Sequence, residues 1–434
     1  MRVNTEFKEV KGIGKIPVDW ESKELDELIL ECRSGLSRQI KSQDIGIPVM
    51  ISGNIQNGKL DTSELKYWYR DDPQGSDVDN YLLKDKDILL CFINSLQQIG
   101  KLCVYKDIGR EAIYTTNLFR IRNNDSVISE FLYYMLSSKY VQNEIINITK
   151  PAVNQASFTK GDFLKIKVPY MTLKEQEKIA QILSNVDMNI EKTEQAIAKY
   201  KQIKKGLMND LLTGKVRIKD GKRFRETNFK DVKFLGKRPE GWVFDTFKNV
   251  SVVRQGLQIP IGKRFKENNK DRYVYITVQY LRDIYNKTNA YYIENPKGNV
   301  ICKKEDILMT RTGNTGEVIT NVAGVFHNNF FLVDYDKGKL NKDFMVHYLK
   351  SSFIQNLISI YAGTTTIPDL NHSEFYRIPI VYPKSIVEQN SIVEVLNYQD
   401  IVISKEEKYL EKLKKLKSGL MEDLLTGKVR VNTN

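Results

Sequence analysis

Arginine, asparagine, glutamine, serine and threonine recur in short loops of this chain. These side chains hydrogen-bond the edges of nucleic-acid bases: arginine pairs with guanine, asparagine or glutamine with adenine, and hydroxyls with either. In the first half the candidates are Arg33, Ser34, Arg38 and Gln39, then Asn54, then Ser95, Gln97 and Gln98, then Asn117 and Asn154. In the second half they are Arg254 and Gln258, Lys263 and Arg264, Gln279, Arg311, Asn314 and Thr315, Asn328 and Thr365. Any one such loop reads more simply as a solvated turn. Two sets at equivalent places in the two halves raise the reading of DNA contact.

Other chemistries lack their residues. A phosphate loop of the GxxxxGK[ST] kind is missing, and Gly313-Asn314-Thr315-Gly316 is followed by Glu317, whose charge repels phosphate. That segment reads as a strand-connecting turn, with DNA contact as the alternative. Asp19, Glu21 and Lys23 have the letters of a metal nuclease, yet no acidic strand precedes them. No Asn/Asp-Pro-Pro-aromatic loop, nucleophile elbow or HExxH helix occurs. The four cysteines form no CxxC pair, and the three histidines stand at no ligand spacing beside them. We expect neither a catalytic residue nor a metal or cofactor site on this chain.

The 434 residues predict two to four domains, and a 41% hydrophobic content suffices for packed cores. No apolar run approaches a membrane span, and the N-terminus lacks the apolar core of a signal peptide, so a cytoplasmic protein is expected. The net charge of +13 suggests a polyanionic partner. Most of it sits in residues 199–238, with fourteen Lys and Arg against four Asp and Glu. Within it, Lys215–Arg238 is either a solvated linker or a phosphate-contacting arm. Tyrosines such as Tyr67, Tyr69, Tyr291 and Tyr292 read first as packing, with stacking on a displaced base as the weaker alternative.

What must position these loops is a chain written twice. GLMNDLLTGKVR at 206–217 returns as GLMEDLLTGKVR at 419–430, eleven of twelve residues identical, with Asn209 against Glu422. Glu175-Gln176 answers Glu388-Gln389, KDKDIL at 84–89 answers KKEDIL at 303–308, and GKIPVDW answers GKRPEGW at the openings. Apolar residues from Ile179 through Leu183, Val186, Ile190 and Ile197 to Leu211 step by four and three, as does the copy from Ile392 with Leu416 beside it. These are coiled-coil seams that most simply bury each other as an antiparallel pair, over about 173–212 and 386–425. Each globular block reads as irregular, mostly antiparallel sheet with one helix, at about 127–146 and 341–360. The fold class is therefore mixed α/β (α+β) with a pseudo-twofold repeat. The domains are expected at 1–171, a first spacer helix at 172–213, a basic linker and second block at 214–384, and a second helix with tail at 385–434.

With these openings, strands, EQ-started helices and twin LLTGKVR endings, the chain resembles the specificity subunits of type I restriction-modification enzymes over essentially its whole length. The resemblance implies two target-recognition domains, each reading half of a bipartite site in double-stranded DNA, with the helices as ruler and dock. It further implies two modification (methyltransferase) subunits that bind S-adenosylmethionine and methylate adenine. Restriction (translocase-nuclease) subunits would use ATP and Mg. The alternatives are the recognition part of a stand-alone methyltransferase-nuclease and a DNA-free coiled-coil scaffold.

Overall fold

Two helices of forty residues each, Leu173–Leu212 and Ile386–Leu425, run over the spans their seams predict. The structure, a computed structural model, describes residues 6–152, 155–282, 290–363 and 368–432. It divides into two units, residues 1–194 with 408–434 and residues 195–407. Each unit holds one end of each long helix.

In the first unit Val186 and Ile190 pack with Leu413, and Asp187–Lys417 (2.6 Å) and Glu194–Lys414 (2.8 Å) flank them. In the second, Lys201 pairs with Glu407 at 2.7 Å and Lys204 with Asp400 at 2.5 Å. Numbers rise on one helix as they fall on the other, so the pairing within each unit is antiparallel. Leu416, expected beside the seam, is 51% exposed.

The duplicated motifs prove to be the fittings that fasten these helices. Gln176, fully buried, accepts from the Ile128 amide and donates to the Ser126 and Met171 carbonyls. Gln389 does the same with Asn341, Lys339 and Pro383. Arg217, closing the first LLTGKVR, grips Glu388 at 2.8–2.9 Å; Arg430, closing the second, meets Glu175 at 2.6 Å and Asp19 at 2.8 Å. Gly214 and Gly427 are at φ +74° and +71°, and a Cβ there would strike Pro239 at 2.3 Å and Pro17 at 2.4 Å. Glycine alone allows the left-handed turn and this contact with the opening proline. Of the letters of a nuclease at 19–23, Asp19 is thus held by Arg430, and Lys23 lies 3.8 Å over the Tyr170 ring.

Each block contains the same pair of sheets. In the first unit an antiparallel sheet runs Leu102–Val104, Ile88–Cys91, Leu118–Asn123, Ile29–Ser34, and a second runs Ile113–Tyr114, Ile47–Met50, Lys66–Trp68. In the second unit the counterparts are Val318–Ile319, Ile307–Thr310, Phe330–Tyr335, Ser251–Gln255 and then Gly324–Phe326, Arg272–Ile276, Tyr292–Glu294, with a fourth strand, Ile301–Cys302, added beside Gly324–Phe326. Pairing is antiparallel except where Ile113–Tyr114 joins Ile47–Met50 and Gly324–Phe326 joins Arg272–Ile276. The chain steps between sheets at Gly35 and Gly256, where a Cβ would lie 2.1–2.2 Å from the Tyr114 and Phe326 carbonyl oxygens.

The single helix expected at 127–146, and its counterpart expected at 341–360, are each two helices, and shorter helices such as Lys160–Leu164 and His372–Arg377 stand beside them. Ser129–Ser137 and Lys139–Ile148 are parted by Ser138, and Lys342–Lys350 and Ser352–Ala362 by Ser351, both serines extended at ψ near 146°. Apolar periodicity continues across the break, so it does not register there. The basic segment after the first helix folds into two hairpins, Val216–Lys219 with Lys222–Arg225 and Phe229–Val232 with Gly236–Pro239.

Candidate nucleic-acid interface

In the first unit four polar segments meet at the sheet step. The Leu36 amide donates to Tyr114 O at 2.8 Å, and the Gly35 amide to Leu118 O, which brings Arg33 and Ser34 to the 114–118 turn. The Phe92 amide donates to Asn117 O at 3.1 Å, and Thr115 N to Met50 O. Asn94 Nδ2 donates to Ser52 Oγ at 3.1 Å, fixing the 94–97 loop on which Ser95, Leu96 and Gln97 are exposed and Gln98 half-buried. Arg33 is half-buried, donates to Asn80 Oδ1 at 3.1 Å and lies 5.0 Å over the Tyr81 ring. Asn94 thus positions this loop.

Two candidates in this unit have structural partners instead of open polar edges. Asn54 is 4% exposed, accepting from Ile51 N and donating to the Asp61 and Glu64 carbonyls. Arg38 forks onto the fully buried Asp72 carboxylate, which also accepts from Trp68 Nε1. The Arg38 guanidinium holds the Asp72 carboxyl well below the usual carboxylate range. Gln39, next to it, is exposed. Asn154 lies outside the described residues.

The second unit repeats the meeting point. Gly256 N donates to Phe330 O and Leu257 N to Phe326 O, drawing Arg254 toward the 326–330 turn. Gln255 Nε2 donates to Asn328 O at 3.2 Å, and Arg311 N to Asn329 O at 2.7 Å, as Phe92 N does to Asn117 O in the first unit. The Asn328 side-chain oxygen is buried with no hydrogen-bond partner among the described residues. Arg311, with its side chain 15% exposed, pairs with Asp369 at 2.7 Å and sits 5.5 Å over Phe331. Thr315 Oγ donates to Pro368 O at 2.9 Å, and the exposed Asn314 to Glu317. The 311–317 segment is the expected strand-connecting turn, joining Ile307–Thr310 to Val318–Ile319.

Arg264 donates twice to Ile259 O, at 2.8 and 2.6 Å, between the Tyr275 and Tyr291 rings. Tyr291 therefore packs against a cation of its own block. Burial, then the Arg264 charge, pushes the His327 pKa down. Gln258, Lys263 and Gln279 are exposed on the same block, and Thr365 lies outside the described residues.

Among the described residues no cluster of His, Cys, Asp and Glu is arranged to hold a metal ion, and no helix is long and apolar enough to cross a membrane. What the two edges offer is a set of polar hydrogen-bonding groups. Residues 17–202 and 239–415 match the family described as the type I restriction modification DNA specificity domain. The chain belongs to that family. As a type I specificity subunit it recognises a DNA target and is not itself an enzyme; in this family catalysis belongs to partner subunits.

Relatives agree along the whole length. A Methanocaldococcus jannaschii protein bearing the name of the type I restriction enzyme MjaX specificity subunit is 29% identical over 433 residues, covering 98% of this chain and 97% of that one. The MjaIX specificity subunit of the same organism is 25% identical over 469 residues, covering 99% and 98%. The crystal structure of a type I S subunit from M. genitalium shares the fold at a TM-score of 0.56 and 14% identity, covering 98% of this chain and 99% of that one.

Proposed function

We propose that the chain reads a bipartite duplex target, one half-site for each block, with recognition domains at 1–171 and 214–384 and the helices at 172–213 and 385–434 as spacer. The observation that carries this reading is the duplicated sheet step at Gly35 and Gly256, which gathers equivalent polar loops in each unit. The exposed and half-buried members make the base and phosphate contacts: Arg33, Ser34, Gln39, Ser95, Gln97, Gln98 and Asn117 in one block, Arg254, Gln258, Lys263, Gln279, Asn314 and Asn328 in the other. Asn154 and Thr365 belong to the same two sets by their place in the sequence. Asn54, Arg38, Arg264, Arg311 and Thr315 shape the loops that carry them.

Two modification subunits, supplying S-adenosylmethionine, and restriction subunits, supplying ATP and Mg chemistry, complete the enzyme in the cytoplasm. Replacing residues 1–171 by the corresponding block of another specificity subunit is expected to change one half of the methylated motif and preserve the other. A simultaneous change of both halves contradicts the assignment.

A further inference from the structure

The second unit contains a cavity of about 370 Å³ beside the first long helix. Lys201, Lys204, Lys205 and Lys350 line it. Lys201 and Lys204 are paired with Glu407 and Asp400, whereas Lys205 and Lys350 form no ion pair with a described residue. Ser351 and Ser352 bring the start of the Ser352–Ala362 helix to the wall. That start has no side-chain cap, because Ser351 Oγ donates backward to Tyr348 O at 2.5 Å. Free amides at a helix N-terminus attract anions.

His347, which is 5% exposed, is also among the residues of this wall. Its Nε2 meets Asn397 Oδ1 at 2.8 Å, while Nδ1 is buried without a partner among the described residues. Burial holds this imidazole below its ordinary pKa, and with Nε2–H donating to Asn397 Oδ1 the neutral ring leaves Nδ1 as a hydrogen-bond acceptor, matched to the O–H of a hydrogen phosphate and not to a bare phosphate oxygen.

The other half of the repeat shows what is missing here. The single mismatch in the twelve-residue motif falls on this cavity, where Asn209 forms part of the lining. Its counterpart Glu422 carries a carboxylate held low by Lys428 and by the field of Lys139, the first residue of the helix equivalent to Ser352–Ala362. That helix is also capped, Ser138 Oγ accepting from Val141 N at 3.3 Å. Lys205 and Lys350 are replaced there by Ser418 and Ser137. One half thus has its own anion and a cap, with Lys139 in the place of Ser352; the other has one more cation on balance, no carboxylate at this position and no cap.

We propose that the cavity lined by Lys205, Lys350, His347 and the Ser352 helix start binds a phosphate group. Ammonium point charges with helix amides suit a tetrahedral phosphate, whereas a carboxylate partner is better served by an arginine fork, and no arginine lines the cavity. The site does not depend on which loops read bases.

Calorimetric titration of the full-length chain with inorganic pyrophosphate tests it, beside Asn209→Glu, which copies Glu422, and Lys205→Ser, which copies Ser418. Saturable binding at one site is expected for the unaltered chain, with affinity reduced about ten-fold or more in each variant, the loss typical of one charge-assisted contact. Melting temperatures should stay unchanged, since both side chains are exposed. No saturable binding by the unaltered chain, or unaltered affinity in folded Asn209→Glu, overturns the proposal. A short duplex lacking the recognised motif separates the sources of the phosphate. Displacement of pyrophosphate assigns the site to the DNA backbone, and retention assigns it to a small phosphorylated ligand.

Discussion

At the scale of single residues, polar side chains in this chain divide between those that hold the frame and those left at its edge. Gln389 is an example of the first kind. Its buried amide satisfies three backbone groups, so Gln389→Leu should lower stability by about 1–3 kcal/mol by orphaning them, read as a fall in the urea midpoint of the second unit's transition.

The Arg217 clamp adds a pH signature. Glu226 is held below the usual glutamate range by the Asn228 backbone amide and then by Arg217. A depressed folded pKa gives stability that is present above the unfolded value of about 4.3 and lost as pH falls through the folded one. Stability should therefore be level above about pH 5 and decline below about 4, and Arg217→Ala should flatten that decline in a pH series of denaturant midpoints. Arg311→Ala separates a framing role from a reading one. If the side chain holds the 311–317 turn through Asp369, binding weakens while the preferred base at every position persists. Relaxed preference at one base pair, at a cost of about 1–3 kcal/mol, would make Arg311 a reader. Residue type marked Arg38, Asn54 and Arg311 as contact candidates. Their partners Asp72, Asp61 and Asp369 lie 34, 7 and 58 positions away and carry no sequence signal linking them.

At the scale of elements, the long helices were legible because a seam repeating over forty residues has one economical outcome, burial against its copy. The motif endings were legible as a repeat but not as a clamp, since Arg217 and Glu388 are separated by 171 residues. Helix breaks at Ser138 and Ser351 escaped because serine at a cap and serine on a helix face look alike in sequence. The spacer role is testable here. Glu194–Lys414 and the Ile190–Leu413 packing place Thr193 and Glu411 at one level of the pair in the first unit. Inserting four residues after each lengthens the pair by about 6 Å at 1.5 Å per residue. Duplex DNA rises about 3.4 Å per base pair, so the preferred spacer should grow by one or two base pairs with both half-sites kept. A two-residue insertion turns the seam by about 200° and should abolish assembly. Methylation of a library with varied spacers reads both, and an unmoved optimum in the four-residue variant contradicts the ruler.

At the scale of the whole molecule, the charge that suggested a polyanionic partner is concentrated where the first helix ends and the two basic hairpins begin, while the polar edges proposed to read DNA lie on nearly neutral blocks. Repetition of fold without repetition of loop residues is what a bipartite reader requires: a common frame and two vocabularies. The central claim is therefore that this chain alone sets a two-part DNA target. Its most direct measurement is methylation-aware sequencing of DNA from cells carrying the chain with its modification subunit, beside cells lacking only the chain. The account predicts adenine methylation at one motif of two short half-sites with a fixed unread spacer, lost entirely in the deletion. A contiguous motif, or methylation that persists without the chain, would contradict it.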